Sequence, residues 1–319
     1  PQRRMNSVAT VVQEEEEDEL PHPEELRTQD FQLLEIIGHG TFSTIHRALW
    51  SPPGQTARHV AVKRFFTGGG DVSTLKSRLS AFSANFQREM MTLFSCAQHD
   101  IPGVIGFIGY IFMEIFEDEE DTYPSAATGW IVTELMDGGD LRSNLEVLKA
   151  SGQCMSMETF IVLALQLTEA LVALHGCIPR IVHYDINAKN VLVSRRIWDG
   201  PQDDDELPTL KICDFGVAKQ ASWKSADPAD LLHSEADCCG TWAYIAPELL
   251  NQRSSGQGKE DVYSLGILFW EMLSGHVAFE GMTGVEIVKR VLAGVRPEYF
   301  VPNWAGDLEP FIVELWSRE

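Results

Sequence analysis

Apolar and polar positions along the chain change rhythm about a third of the way through. Residues 31–47 alternate around a glycine-rich centre, which predicts a hairpin. Residues 59–66 alternate again and predict another strand, while 81–96 carry apolar residues at helical intervals. The short, strongly apolar runs 104–112 and 130–135 predict buried strands. After Gly138-Gly139 helical spacing takes over: 157–175 and 285–292 predict helices. Residues 262–273 are apolar on almost every side, which marks a helix in the middle of a domain. Strands first and helices afterwards imply an α+β protein with a sheet-rich small lobe, a helical large lobe and a hinge at the glycine pair. There is no internal repeat.

The chain has 319 residues, 44% of them apolar, enough for one large two-lobed domain or two ordinary ones. Its net charge of −22 argues against nucleic-acid binding. The acidity is local, since the runs 14–19, 117–121 and 203–206 hold 15 of the 47 acidic residues and no base. The plain reading is solvated loops; the functional one is a docking surface for basic substrates or partners. Residues 1–28, with the first acidic run, Pro21 and Pro23, read as a disordered leader, and the folded part is expected to start near Phe31. No uncharged apolar run is long enough to span a membrane, and no secretory signal opens the chain. It begins with Pro rather than Met and so reads as a fragment. The six cysteines (Cys96, Cys154, Cys177, Cys213, Cys238 and Cys239) form no C-x-x-C pair. They read as reduced thiols in a cytoplasmic protein, with a vicinal Cys238-Cys239 redox pair as the alternative.

Six short motifs carry candidate chemistry. Gly38-His39-Gly40-Thr41-Phe42-Ser43 lies between two strand patterns, where glycines let backbone N–H groups approach phosphate oxygens. A dinucleotide-binding fold would follow such a loop with a helix; here a strand follows. Lys63, in Ala61-Val62-Lys63, interrupts a strand that otherwise reads as buried, and Glu89 on the next helical segment is a candidate partner. His183-Tyr184-Asp185-Ile186-Asn187-Ala188-Lys189-Asn190 sets an Asp and an Asn five apart after an apolar approach. Asp214-Phe215-Gly216 follows Leu210, Ile212 and Cys213. Gly240-Thr241-Trp242-Ala243-Tyr244-Ile245-Ala246-Pro247-Glu248 and Asp261-Val262-Tyr263-Ser264-Leu265-Gly266 complete the series. No G-x-x-x-x-G-K-[ST] loop is present, which removes the P-loop hydrolases.

One match is weak; six in this order resemble the signature set of eukaryotic protein kinases, over residues 31–319. The string from Asp261 to Leu273 and the pair Leu315-Trp316 are similar to the tyrosine-kinase-like branch. The resemblance implies a two-lobed fold: N-lobe 31–135, with a helix C beside the sheet, hinge 134–139, and C-lobe 140–319, incomplete at its end. It implies ATP and Mg2+ (Mn2+ as alternative) as cofactors and protein hydroxyls as acceptors. By the family pattern Gly38, Gly40 and Ser43 cover the phosphates, and Lys63, held by Glu89, grips the α and β phosphates. Asp185 receives the hydroxyl proton, and Asn190 and Asp214 hold the metal. Adenine is expected between Ile45, Ala61 and Leu192, with its edge at backbone groups of Glu134 and Met136 and Thr133 as a small gatekeeper. His183, Phe215, Leu93 and Phe107 are expected to stack as a spine.

Several positions depart from that pattern. Ser43 replaces the third glycine, and Tyr184 replaces the arginine that binds a phosphorylated activation loop. Activity is therefore expected to depend less on activation-loop phosphorylation, for which Ser222, Ser225 and Ser234 are candidates. Asn187 stands where a basic residue is usual, and Lys189 is the candidate replacement cation, as an arginine is in tyrosine kinases. Thr241, with Gly240 and Tyr244, resembles the Ser/Thr-type substrate loop, so a Ser/Thr kinase is expected. A Tyr or dual-specificity kinase, and a non-catalytic pseudokinase or scaffold, stay open. Residues 67–80, 114–128 and 194–209 read as long loops. The arginine expected to pair with Glu248 would lie about a dozen residues past the last one here, by the family pattern.

Overall fold

The computed structural model describes residues 22–40, 43–67, 75–115, 126–197, 207–220, 241–251, 256–298 and 302–317. The acidic runs, Thr41, Phe42, Gly240, Cys238, Cys239 and the three candidate phosphorylation sites lie outside them.

The small lobe is one antiparallel sheet of β1 (Phe31–Gly40), β2 (Ser43–Trp50), β3 (Arg58–Phe66), β4 (Phe107–Ile115) and β5 (Ala126–Glu134), in the order β1-β2-β3-β5-β4. Alternation along β3 divides its two faces. Val60 and Val62 are fully buried in a cluster with Trp50, Trp130 and Val132, while Phe65, on the face shared by Ala61 and Lys63, packs against the helix α1 (Leu75–Gln98). The lysine therefore belongs to the inner face because of strand parity, whatever its own polarity. Phe86 of α1 lies against Phe65, Phe82 and Phe112, and Gly129 makes room for it: a Cβ at 129 would stand 2.7 Å from the Phe86 ring.

Three boundaries differ from expectation. The helix begins at Leu75 rather than 81, so the expected loop 67–80 is shorter; Leu79, Phe82 and Phe86 continue one apolar stripe through a polar stretch. Val104 and Ile105, read as the start of β4, bridge instead to Ile212. The expected loop 114–128 loses both ends, because β4 runs on to Ile115 and the small residues Ala126–Gly129 already pair with β3 and β4.

Ahead of β1, the chain is held as a strap on the β4 edge. Leu26 N–H donates to Tyr110 O (2.7 Å) and Tyr110 N–H to Glu24 O (3.0 Å), with Leu26 buried in the Trp50–Trp130 cluster. The leader expected over 1–28 thus gives way to packed backbone by Glu24. Gly109 permits the contact, since a Cβ there would lie 2.7 Å from Glu24 O and 2.8 Å from Leu26 Cγ. Gly109→Val is expected to lift the strap and cost about 1.5–3 kcal/mol, the worth of burying one leucine. Urea unfolding checks this, and adding Leu26→Ala to that variant should cost little more.

The large lobe is built on α2 (Leu141–Ala150), α3 (Met157–Gly176), α4 (Pro247–Leu250), α5 (Lys259–Ser274), α6 (Gly284–Leu292) and α7 (Glu309–Leu315). Short pairs β6 (Ile181–Val182) with β9 (Lys219–Gln220), and β7 (Val191–Val193) with β8 (Leu210–Ile212), frame the cleft. α5 is the central helix, buried nearly all round. α3 is long and apolar enough to cross a membrane by length and composition, but Phe160, Leu163, Leu167, Ala170, Leu171 and Leu174 bury one face of it in the core.

The glycine pair between the lobes is pinned rather than free. Gly138 N–H donates to Val193 O (2.9 Å), Val193 N–H donates to Gly139 O (2.8 Å), and a Cβ at 138 would meet Val193 O at 2.5 Å. Gly139 has φ +75°, the conformation for which glycine is suited. The pair is therefore fastened to β7 of the large lobe.

Candidate active site

Strand parity on β3 and the helical stripe of α1 bring Lys63 and Glu89 together across 26 residues. Lys63 Nζ donates to both Glu89 carboxylate oxygens (2.8 and 2.9 Å) and to Asp214 Oδ1 (2.9 Å). Burial works against the Lys63 charge, but Asp214 and Glu89 outweigh it and hold its pKa well above the ordinary value. Glu89 is only 3% exposed, and burial lifts its carboxyl to about 7 despite the neighbouring ammonium. For Asp214 burial also pushes upward, yet Lys63 prevails and the net shift is downward. Asp214 adopts φ 64°, which turns Phe215 into the core, its ring 4.7 Å from that of His183. Leu93 is buried in the same core, and Phe107 packs on Phe94. Of the four expected spine residues, Leu93, Phe215 and Phe107 thus belong to one apolar cluster, and His183 lies against Phe215.

Between β6 and β7 the chain makes a tight loop around Asp185. Asn187 Nδ2 donates to Asp185 Oδ1 (2.9 Å) and Asn190 Nδ2 to Asp185 Oδ2 (2.7 Å). Burial, then the charge of Asp214, raise the Asp185 carboxyl to about 7 against the pull of these amides and Lys63. The loop is anchored from below by Asp261, which is fully buried at the start of α5. It accepts from His183 N–H (2.8 Å) and Tyr184 N–H (2.7 Å) and sits 2.8 Å from His175 Nε2. Tyr184 has φ 63°. Tyr244 and Arg142 both bond the fully buried Glu271, and Ala188 N–H reaches Tyr244 Oη at 3.4 Å. Lys189 is exposed.

The remaining positions line the mouth between the lobes. Gly38 pairs with Ile45, Gly40 with Ser43, Ile45 with Lys63 and Ala61 with Thr133. A Cβ at Gly38 would come within 3.1 Å of Ile45 Cδ1, and one at Gly40 within 2.7 Å of Ser43 Oγ. Ala61, Thr133, Met136 and Leu192 are half-buried. The Glu134 carboxylate bonds Lys211 and Gly106 N–H (2.6 Å), its own N–H donates to Gly106 O (2.9 Å), and its carbonyl accepts from Thr133 Oγ1 (3.2 Å). Neither backbone group of Met136 hydrogen-bonds to a described residue, as the edge of a purine requires. Asn190 Oδ1 and Asp214 Oδ2 accept no hydrogen bond from a described residue either. Two such oxygens suit a hard divalent cation that completes its shell with phosphate and water.

Residues 31–305 match the family model described as protein kinase domain. The chain belongs to the protein kinase domain family. Among curated proteins, this kinase domain is 27% identical over 290 residues to "Serine/threonine-protein kinase VIK" of Arabidopsis thaliana, covering 91% of this chain and 56% of that protein. It is also 27% identical over 270 residues to "Mitogen-activated protein kinase kinase kinase 10" of Mus musculus, covering 84% of this chain and 24% of that one. The chain thus spans about half or less of these relatives.

In the kinase domain, Lys63, Glu89, Asp185, Asn190 and Asp214 converge at one cleft. Thr241 opens a 3-10 turn, and its side chain lies outside the described ones. Glu248 is half-buried and forms no ion pair among the described residues. Sequence reading assigned no role to Asp261, Arg142 or Glu271. For Asp261 the signal was available: a carboxylate opening an all-apolar helix is buried and must find donors.

Proposed function

We propose that this domain binds ATP with Mg2+ and transfers the γ-phosphoryl group to Ser/Thr hydroxyls of other proteins. The observation that carries this reading is Lys63 held between Glu89 and Asp214 in the same cleft as a clamped Asp185. Both the lysine–glutamate pair and the inward Phe215 are features of the assembled form that phosphoryl transfer requires. Lys63 grips the α and β phosphates under the backbone of Gly38 and Gly40. Asp185 orients the incoming hydroxyl and accepts its proton. Mg2+, or Mn2+, held by Asn190 Oδ1 and Asp214 Oδ2, would neutralise charge on the β and γ phosphates. Adenine lies between Ile45, Ala61 and Leu192, with its edge on Glu134 and Met136 backbone. The Ser/Thr class is supported by the name of the Arabidopsis thaliana relative and by Thr241 and Tyr244 in the substrate loop. The net charge of −22 favours basic protein substrates, and the reduced-thiol reading favours the cytoplasm.

Radiolabelled phosphate from ATP, offered with magnesium to a basic mixture of proteins, tests this. Label is expected on Ser and Thr, and Asp214→Asn is expected to abolish it. A folded domain that leaves the mixture unlabelled would instead be a pseudokinase.

A further inference from the structure

Asn187 is 6% exposed, and each end of its side chain is engaged. Nδ2 donates to Asp185 Oδ1 at 2.9 Å and to Asp185 O at 3.1 Å. Oδ1 accepts from Lys189 N–H at 2.9 Å and from Asn190 N–H at 3.3 Å. The partners dictate the orientation of the amide: two backbone donors demand its oxygen, and a carboxylate demands its nitrogen. On the opposite side Asn190 Nδ2 donates to Asp185 Oδ2 and to Asp185 O, at 2.7 and 2.9 Å. The carboxylate is therefore gripped from both flanks by neutral amides.

We propose that Asn187 is a positioning residue for phosphoryl transfer: its amide nitrogen fixes the Asp185 carboxylate, and its amide oxygen fixes the backbone that presents Asn190. This deepens the kinase reading and rests on it. A cation at 187 would orient Asp185 but would also withdraw its negative charge. A neutral amide orients it and leaves the charge in place. Each carboxylate oxygen keeps a second lone-pair direction, so a substrate hydroxyl has an acceptor that cannot swing away. Small displacements of a reacting group are costly, at about 10²-fold for 1 Å. The loss of a basic residue at this position is on this view a change in how Asp185 is held, with catalysis kept.

Two variants separate the halves of the device. Asn187→Asp retains an oxygen for the Lys189 and Asn190 N–H groups but sets a like charge against Asp185. It is expected to lower the melting temperature, because a second carboxylate is buried beside Asp185, and to keep the KM for ATP, while kcat for a Ser/Thr substrate falls about 10²-fold. Asn187→Ala removes both halves and is expected to lower kcat similarly and also to raise KM for ATP, because Lys189 N–H loses its acceptor and Asn190 N–H keeps only the Asn187 carbonyl, at 3.1 Å. A kcat within about threefold of wild type in the folded Asp variant overturns the proposal, since only turn geometry would then matter. If the Asp variant does not fold, a wild-type kcat in the Ala variant overturns it equally. Absence of any transfer by the unsubstituted domain overturns the kinase reading itself, and this proposal with it.

Discussion

Asp185→Asn is expected to cut phosphoryl transfer by about 10²–10⁴-fold, the range for loss of a positioned proton acceptor. The same change should flatten the pH dependence of stability in the metal-free domain. Burial and Asp214 raise the Asp185 carboxyl to about 7 in the folded state, whereas an unfolded aspartate titrates near 4. Between those values the folded domain binds a proton that the unfolded chain does not, so stability falls as pH rises and levels off above about 7. Glu89, raised to about 7, and Glu271, also raised, act in the same direction. Buried His183, whose pKa is lowered, acts in the opposite one. The wild-type domain in chelator should therefore unfold at lower urea at pH 8 than at pH 6. The Asp185→Asn variant should lose part of that difference, and metal–ATP should reduce it in the wild type by stabilising the ionised carboxylates. Urea midpoints at the two pH values, beside transfer rates, measure both effects.

Lys63→Met is expected to abolish detectable transfer and, unlike the first change, to destabilise the fold strongly. It removes the cation between Glu89, 3% exposed, and Asp214. Removing one partner of a buried pair costs about 3–5 kcal/mol, mostly from the charge left behind. Without Lys63 the Glu89 carboxyl is raised further and Asp214 loses the charge that holds its own down, so the deficit should be largest above neutral pH and shrink as acid protonates them. Adding Glu89→Leu should return most of the stability and none of the activity, because an apolar pair no longer buries a lone charge. A double variant as unstable as Lys63→Met would show that Asp214, not Glu89, carries the cost.

The features most legible in the sequence were those with a periodic or positional signature. The alternation over 59–66 foretold strand β3, and the all-round apolar 262–273 foretold the central helix. Tertiary contacts were not legible. Nothing local announces that Gly109 is small because Glu24 and Leu26 press on it, or that Gly138 is small because Val193 O does. The polar residues between Leu75 and Phe82 hid a helical stripe whose register only the packing of Phe86 makes plain. Asn187 was read as the loss of a cation, since sequence shows the residue type but not that both ends of the amide are bonded.

The strap has a practical consequence. The family match begins at residue 31, but the backbone that completes the β4 edge lies at Glu24–Leu26. A fragment trimmed to the region of similarity would leave Tyr110 N–H and C=O unpaired beside an uncovered patch around Trp50 and Trp130. An open strand edge flanked by apolar surface is a template for other chains. Such a fragment would be prone to self-association and poor solubility even with every catalytic residue intact, and a failed assay on it would report on its cut point rather than its chemistry.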